Sequence, residues 1–298
     1  DNISTVYVLN DDDTYAGAFS LRDLVVARSQ TPLDDITVSA YPYLYADEKV
    51  SQCIEELKDY SEDSIPILNR DNKVIGAITS SELVDVVDQE FGDDYAKLAG
   101  LTHEEDLEEP VFKSVTKRLP WLILLMGLGL VVSSLIGSFE YVIAALPLLV
   151  SFQSLILDMS GNGGTQSLAV TIRVISNSTL NAKEVLQLIF KEARVGLVNG
   201  LILGVFATII CTLYILVLKK LAFLIALSYA ACIGVSLALA IFISALGGTL
   251  IPLLFKKIKI DPAVASGPLI TTINDLVSAT IYYTLANVFL IGIMGIVG

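Results

Sequence analysis

The C-terminal segment of the chain, residues 261–298, reads DPAVASGPLITTINDLVSATIYYTLANVFLIGIMGIVG and predicts a membrane-spanning helix. From residue 268 onward it is long enough, at about 1.5 Å rise per residue, to cross a bilayer core of about 30 Å. One carboxylate, Asp275, lies inside this span beside Thr271, Thr272 and Asn274. An ionised carboxylate at membrane depth costs on the order of 3 kcal/mol, so it usually lines an aqueous path. The alternative is an Asp bonded to a neighbouring helix or lying nearer the interface.

The charge of the chain is divided between its two parts. Hydrophobic residues make up 54% of the 298 residues and the mean hydropathy is +0.68, which is too apolar for a soluble protein. Residues 1–112 hold 7 Lys/Arg and 26 Asp/Glu, a net charge of −19, whereas residues 113–298 hold 12 and 6, a net charge of +6. An acidic soluble module therefore precedes a membrane module. The negative sign argues against nucleic acid and suits cations, with a merely solvated acidic surface as the alternative.

An internal repeat occupies the acidic part, in residues 1–30 and 36–90. The first copy reads YVLNDDDTYAGAFSLRDLVV and the second PILNRDNKVIGAITSSELVD, at a constant offset of 59 residues. Each copy predicts a strand, a polar turn, a second strand and a helix opened by a hydroxyl residue. The second copy is fuller, because it adds an extended stretch near residues 37–45 and an amphipathic helix over residues 49–60.

This pattern resembles tandem CBS domains over nearly all of residues 1–90, with the first unit incomplete. The resemblance implies that a Gly-x-x-Ser/Thr-x-x-Asp element can hold an adenine nucleotide such as ATP, and Gly17, Ser20 and Asp23 match it. The second copy departs from the element because Glu82 replaces Asp. The structural alternative is that these Ser and Asp residues are ordinary helix N-terminal residues.

An acidic segment, residues 81–110, follows the repeat. Its apolar residues recur at helical spacing, and we expect an acidic connecting helix over residues 91–118. Clustered carboxylates repel one another unless cations are near, and oxygen ligands suit Mg²⁺ or Ca²⁺ better than soft metals. A cation sensor and a solvated acidic linker both fit this segment.

The remainder, residues 119–298, predicts an all-α domain of five membrane spans. We expect spans near residues 119–139, 141–159, 196–218, 221–255 and 268–298, with a bend or break near Pro252. An amphipathic helix is expected over residues 181–195, with Asn181 and Glu184 as its capping pair. Under this topology the inside loops carry ten Lys/Arg, and the outside loops carry only Lys219 and Lys220. This bias predicts a cytosolic N-terminus and an external C-terminus in the cell (inner) membrane, with lipids as surroundings.

A glycine-rich segment, SGNGGTQ at residues 160–166, follows the second span directly. Glycine lets backbone carbonyls face a path, so we expect a helix break there that exposes oxygens together with Asp158, Asn162 and Gln166. An ordinary helix-to-loop turn is the alternative. A single buried carboxylate is a poor filter for a divalent ion, so we expect a homodimer whose two copies of Asp275 flank the path.

These features together resemble the MgtE family of magnesium channels and transporters over the whole chain. The resemblance implies Asp275 as the pore carboxylate, with Gly161, Asn162, Gly163, Thr271 and Asn274 beside the path. It also implies that the acidic region binds cytosolic Mg²⁺ and closes the pore through six residues: Glu82, Asp85, Glu90, Asp93, Asp94 and Asp261. The chain departs from the family in lacking its helical N-terminal domain, so it looks like a fragment of a longer protein.

Three other functions remain open from the sequence. A CBS-regulated transporter of another divalent cation or solute is the first. The second is an intramembrane aspartyl protease using Asp158 and Asp275, although neither has a Gly-x-Gly-Asp context and we expect Asp158 at a helix end. The third is a nucleotide-sensing receptor, which would not need Asp275 at membrane depth. The sequence therefore predicts a transporter rather than an enzyme.

Overall fold

The protein divides into two compact units, residues 1–93 and 94–298, in a computed structural model. The structure describes residues 4–48, 53, 63–103, 105–176 and 180–296. The split separates most of the acidic repeat from the apolar helices. The division into segments 1–90, 91–118 and 119–298 that the sequence suggests stays a prediction.

The first unit contains two small sheets. Its elements in chain order are β1 (Thr5–Leu9), β2 (Tyr15–Ser20), α1 (Leu21–Val26), α2 (Leu33–Ile36), β3 (Leu44–Tyr45), β4 (Ser64–Leu68) and β5 (Val74–Thr79). β1 and β2 form an antiparallel hairpin, while β4 pairs with β3 in parallel and with β5 in antiparallel register. The helix predicted over residues 49–60 lies outside the described residues, apart from Cys53.

The two hairpins are structural copies of each other. Each turn contains one left-handed residue, Asp13 (φ 64°) or Asn72 (φ 57°), and these two positions are 59 residues apart. Asp and Asn are the non-glycine residues that adopt this conformation most readily. Both hairpins also shift register at the end of the first strand, between Val8 and Leu9 and at the matching place in β4. The repeat predicted from the sequence is confirmed in these strands.

Helix α3 (Ser80–Leu98) does not continue into a long connecting helix. Gly100 adopts φ +83°, and the Leu101 N–H donates to the Ala96 carbonyl at 2.9 Å, which closes the last turn. A left-handed glycine just after a helix is a strong stop signal. Because the described part of residues 99–110 is not helical, the single helix expected over residues 91–118 is interrupted.

Six α-helices follow among the described residues of the second unit. They are α4 (Val111–Gly137), α5 (Glu140–Ala145), α6 (Val150–Ser176), α7 (Ala182–Tyr214), α8 (Phe223–Lys257) and α9 (Gly267–Leu285). Among the described residues, four helical stretches are long and apolar enough to cross a membrane: Val111–Gly137, Ala182–Lys219, Phe223–Lys257 and Gly267–Ile293. These stretches support a multi-pass membrane domain. α6 has the length of a span but not the apolar composition.

Two expectations about helix boundaries are wrong. The span expected over residues 141–159 is broken, because Leu146 leaves the helical region (φ −132°, ψ 65°) and a 3-10 turn, Pro147–Leu149, precedes α6. α6 then runs without interruption through residues 160–166, so neither a glycine-rich break nor a helix-to-loop turn is present there. At Pro252, where the sequence predicts a bend or break, α8 continues without a break, and the bend stays a prediction. By contrast, the expected cap at the start of α7 is confirmed, since Asn181 and Glu184 form a capping box.

Small residues bring α7 and α8 close together. A Cβ added at Gly196, Gly200 or Gly204 would lie within 2.6 Å of an atom of α8, so only glycine permits this approach. In a membrane, such stripes allow backbones to pack where the hydrophobic effect between helices is absent. The main apolar core joins α8 to α6 and α9 and includes Ile156, Ile233 and Tyr282. This packing fixes α6 and α9 side by side.

Candidate functional site

The candidate site lies on α9, which begins with a strong local signal. Ser266 caps the helix by accepting from the Leu269 N–H at 3.4 Å, and Pro268 stands in the first turn, where its missing N–H costs nothing. Two turns later come Asn274 and Asp275. Asn274 is buried at 2% exposure, whereas Asp275 is half-buried, so adjacent residues face different surroundings.

Helix α6 packs directly against α9. The Ser278 hydroxyl donates to the Ser160 hydroxyl at 2.6 Å, with both residues fully buried. A Cβ at Gly161 would lie 2.9 Å from Thr271 Cγ2. Glycine and serine at these positions therefore let the two helices form a tight seam.

The glycines of residues 160–166 serve this packing. A Cβ at Gly164 would lie 2.0 Å from Asn274 Nδ2, and one at Gly248 of α8 would lie 2.1 Å from the Gly164 carbonyl oxygen. Gly163 faces α8, with Ile241 at 3.4 Å from its added Cβ. The carbonyls in this segment belong to a continuous helix, so the expected exposure of backbone oxygens at a break is wrong, and the role of Gly161 and Gly163 beside a path stays a prediction.

A row of polar side chains follows the exposed side of α6. Asp158, Asn162 and Gln166 recur every four residues, and all three are exposed. Asp158 lies well inside α6 and not at a helix end as expected. Its carboxylate is close enough to Asp275 to act on it by charge repulsion. Neither carboxylate receives a hydrogen bond or an ion pair from another described residue, so the pair is available to a cation.

The other predicted pore residues are placed differently from Asp275. The Thr271 hydroxyl donates to the Gly267 carbonyl at 2.9 Å, and the Thr272 hydroxyl donates to the Pro268 carbonyl at 2.8 Å. Asn274 faces α6 and α8, and its Nδ2 has no partner among the described residues. Asn274 therefore lies inside the helix junction, away from the half-exposed side of α9.

A buried carboxylate that the sequence did not indicate lies nearby. Glu192 of α7 is 4% exposed and accepts a hydrogen bond from the Ser167 hydroxyl of α6 at 3.0 Å. The sequence indicated only an amphipathic helix over residues 181–195 and did not distinguish Glu192 from its charged neighbours. The sequence feature that could have indicated a buried polar contact is Ser167, a small polar residue one turn beyond Gly164. This pair ties α7 to the helix that carries Asp158.

The residues that the resemblance assigned to Mg²⁺ sensing fall in both units. In the first, Asp85 is exposed and Glu82 accepts from the Thr79 N–H and hydroxyl, both at 2.8 Å, which holds the pKa of the Glu82 carboxyl below its usual value. In the second, Asp94 and Asp261 flank Lys97. Within either unit, no three Asp, Glu, His or Cys side chains of the described residues form a group that could hold a metal.

The residues matching a nucleotide element have local structural roles. Ser20 and Asp23 form the capping box of α1, with the Ser20 hydroxyl donating to Asp23 Oδ2 at 2.7 Å. A Cβ at Gly17 would lie 2.7 Å from the Val38 carbonyl oxygen, so glycine permits the close approach of the segment between α2 and β3. These roles match the structural alternative, and nucleotide binding at Gly17, Ser20 and Asp23 stays a prediction.

Comparisons with known proteins agree with these features. A family model described as "Divalent cation transporter" (MgtE) matches residues 153–285, and the CBS domain model matches residues 33–89. The chain is 36% identical over 290 residues to the "Magnesium transporter MgtE" of Enterococcus faecalis and 34% identical over 293 residues to that of Bacillus subtilis. Each alignment covers 97% of this chain but only 62% of the relative.

A solved structure, the cytosolic domain of the Mg²⁺ channel MgtE in complex with ATP, is 26% identical over 29% of this chain and 35% of its own. Its TM-score of 0.28 is too low to show a shared fold. The matched family model covers α6 to α9, including the seam with Asp158 and Asp275. The family resemblance seen in the sequence is thus confirmed: residues 153–285 match the MgtE family model, and residues 33–89 before them match the CBS domain model.

Proposed function

We propose that this chain transports Mg²⁺ across the membrane along the α6–α9 seam, with Asp275 as the pore carboxylate. The observation that carries the proposal is Asp275, half-exposed on an apolar helix and close to a second unpaired carboxylate, Asp158. Two acids at membrane depth are costly unless they meet water or cations. Mg²⁺ that keeps several waters can be held by such carboxylates through water, as hard oxygen ligands require.

The proposed transporter is a homodimer. The polar row of Asp158, Asn162 and Gln166 is exposed on the single chain, although α6 lies among apolar helices. Such a surface must face water or protein within a membrane. A second copy, placed with its own row opposite, would enclose a polar path and supply another Asp275. α6 then counts as the fifth span, with the N-terminus cytosolic and the C-terminus outside.

Regulation is proposed to use the acidic N-terminal part. When cations are scarce, its carboxylates repel one another; bound Mg²⁺ would bridge them and favour a closed pore, as a population shift. The residues proposed for this role are Glu82, Asp85, Glu90, Asp93, Asp94 and Asp261. Of these six residues, Glu82 is the one least suited to bind Mg²⁺, because the metal would compete with its hydrogen bonds from Thr79.

Mg²⁺ flux into liposomes tests the proposal. Asp275→Asn removes the charge and keeps the shape, so we expect at least about a tenfold fall in flux. Glu140→Gln is the matched control, because Glu140 is an exposed acid at the start of α5, away from the seam. Unchanged flux in Asp275→Asn would refute the pore assignment. Flux of Co²⁺ or Mn²⁺ in preference to Mg²⁺ would instead favour a transporter of another divalent cation.

A further inference from the structure

A lysine ammonium lies between two of the proposed sensing acids. Lys97 Nζ is 2.7 Å from Asp261 Oδ2 and 4.0 Å from Asp94 Oδ1. The side chains of Lys97, Asp261 and Asp94 are 24%, 42% and 27% exposed, so the group is partly sheltered from solvent. All three residues belong to the second unit. A positive charge thus already lies where a bridging cation would bind.

Apolar contacts hold this arrangement independently of the charges. Leu98, next to Lys97, packs against a cluster that contains Leu168, Ala265 and Ile270. The Asp261 side chain is itself positioned by the Ala263 N–H, which donates to Oδ1 at 2.9 Å and leaves Oδ2 for Lys97. The end of α3 and the loop before α9 should therefore keep their positions if the ammonium is removed.

We propose that Lys97 is a built-in competitor of regulatory Mg²⁺ and sets the concentration at which the site between Asp94 and Asp261 fills. Mg²⁺ must displace the ammonium from Asp261 Oδ2 before it can use that oxygen. Because Lys97 is part of the same chain, its local concentration is constant, whereas that of Mg²⁺ varies. The inference rests on the proposed role of Asp94 and Asp261 in binding Mg²⁺.

If Lys97 had a purely structural role, its removal would change the affinity for Mg²⁺ in the opposite direction. If the ion pair served only to fasten α3 to the loop, its loss would loosen the two acids. Mg²⁺ would then have to order them and would bind more weakly. If Lys97 competes, its loss removes the ammonium from Asp261 Oδ2, and Mg²⁺ binds more tightly. The direction of the change in affinity therefore separates the two roles.

The test compares Lys97→Met, Lys97→Arg and wild type. Isothermal titration of the detergent-solubilised whole chain with Mg²⁺ measures binding, and liposome flux measures closure. Partly exposed ion pairs are worth up to about fivefold in an equilibrium constant, so Lys97→Met should bind Mg²⁺ about fivefold more tightly. Lys97→Arg keeps the charge and should resemble wild type.

Lys113→Met is the matched control. Lys113 also pairs with an acid, Glu109, at 3.1 Å, but Glu109 keeps a second partner in Lys117 at 2.6 Å. We expect this variant to bind Mg²⁺ like wild type. Equal or weaker binding by Lys97→Met would overturn the inference, even if wild type still closed with Mg²⁺. Tighter binding without closure would support the competition by Lys97 and refute the proposed gating.

Discussion

Gly248 is the position where the packing of the seam can be tested most sharply. An alanine there would place its Cβ 2.1 Å from the Gly164 carbonyl oxygen and 3.1 Å from the Leu168 amide nitrogen. Both are backbone atoms of α6, so no flexible side chain can move aside. To restore even a 3.0 Å contact, α6 and α8 must separate by about 0.9 Å, and overpacking of this kind costs about 1–3 kcal/mol.

The effect on transport follows from the position of α6. Because α6 carries Asp158 and packs on the helix that carries Asp275, separating α6 from α8 disturbs the geometry of both carboxylates. We therefore expect Gly248→Ala to lower both the thermal stability in detergent and the Mg²⁺ flux in liposomes. A displacement of this size near a binding site can reduce a rate by about a hundredfold, although transport through water-mediated contacts should be less sensitive.

Gly127→Ala provides the matched control. Gly127 lies inside α4, and an added Cβ there meets nothing within 4 Å. Alanine is favoured over glycine in a helix by about 0.5–1 kcal/mol, so this variant should be as stable as wild type or more so. If Gly248→Ala unfolded at the same temperature as Gly127→Ala and kept full flux, the close approach of α6 and α8 would be wrong.

Three further outcomes follow from the structure. Asp158→Asn should reduce Mg²⁺ flux less than Asp275→Asn does. Because Asp158 is exposed, this variant should keep the thermal stability of wild type. A fall in thermal stability together with the fall in flux would indicate a structural role for Asp158. Thr79→Ala should destabilise the start of α3 by about 1 kcal/mol, measured by hydrogen exchange of that turn in the whole chain; unchanged exchange would contradict the cap. Hydrogen bonds from Thr79 lower the pKa of the Glu82 carboxyl. The stability that Glu82 adds to the start of α3 should therefore be present at neutral pH and lost as the pH falls below about 4.5. The Glu82→Gln variant should lack this acid-dependent change in hydrogen exchange.

Local sequence signals predicted much of the fold. The strands, the left-handed turn residues and the capping boxes of the two copies recur at the offset of 59 residues. These features repeat with the sequence because each depends on side chains only a few positions apart. The start of α7 at Asn181 and Glu184 was predictable for the same reason. The four apolar helices followed from length and hydropathy alone. These features depend little on the rest of the structure.

Features that depend on contacts between distant residues were harder to predict. The glycines of residues 160–166 indicated a break, because the sequence does not show that Gly248 and Asn274 lie against them. Glu192 did not stand out in the sequence, because its partner Ser167 lies on another helix, 25 residues away. The pairing of Lys97 with Asp261 joins residues 164 positions apart, which no local pattern reveals. Asp275 could be singled out as a candidate from the sequence because an isolated charge in an apolar span is unusual by itself.

The most direct test of the proposed pathway is to modify Asn162. In a background with Cys53, Cys211 and Cys232 replaced by serine or alanine, Asn162→Cys places a single thiol on the polar row one turn from Asp158. Val205→Cys, on an exposed part of α7, is the control. If Mg²⁺ passes along this row, a water-soluble thiol reagent should block flux through Asn162→Cys and leave Val205→Cys unaffected. Complete modification of Asn162→Cys with unchanged Mg²⁺ flux would contradict the account.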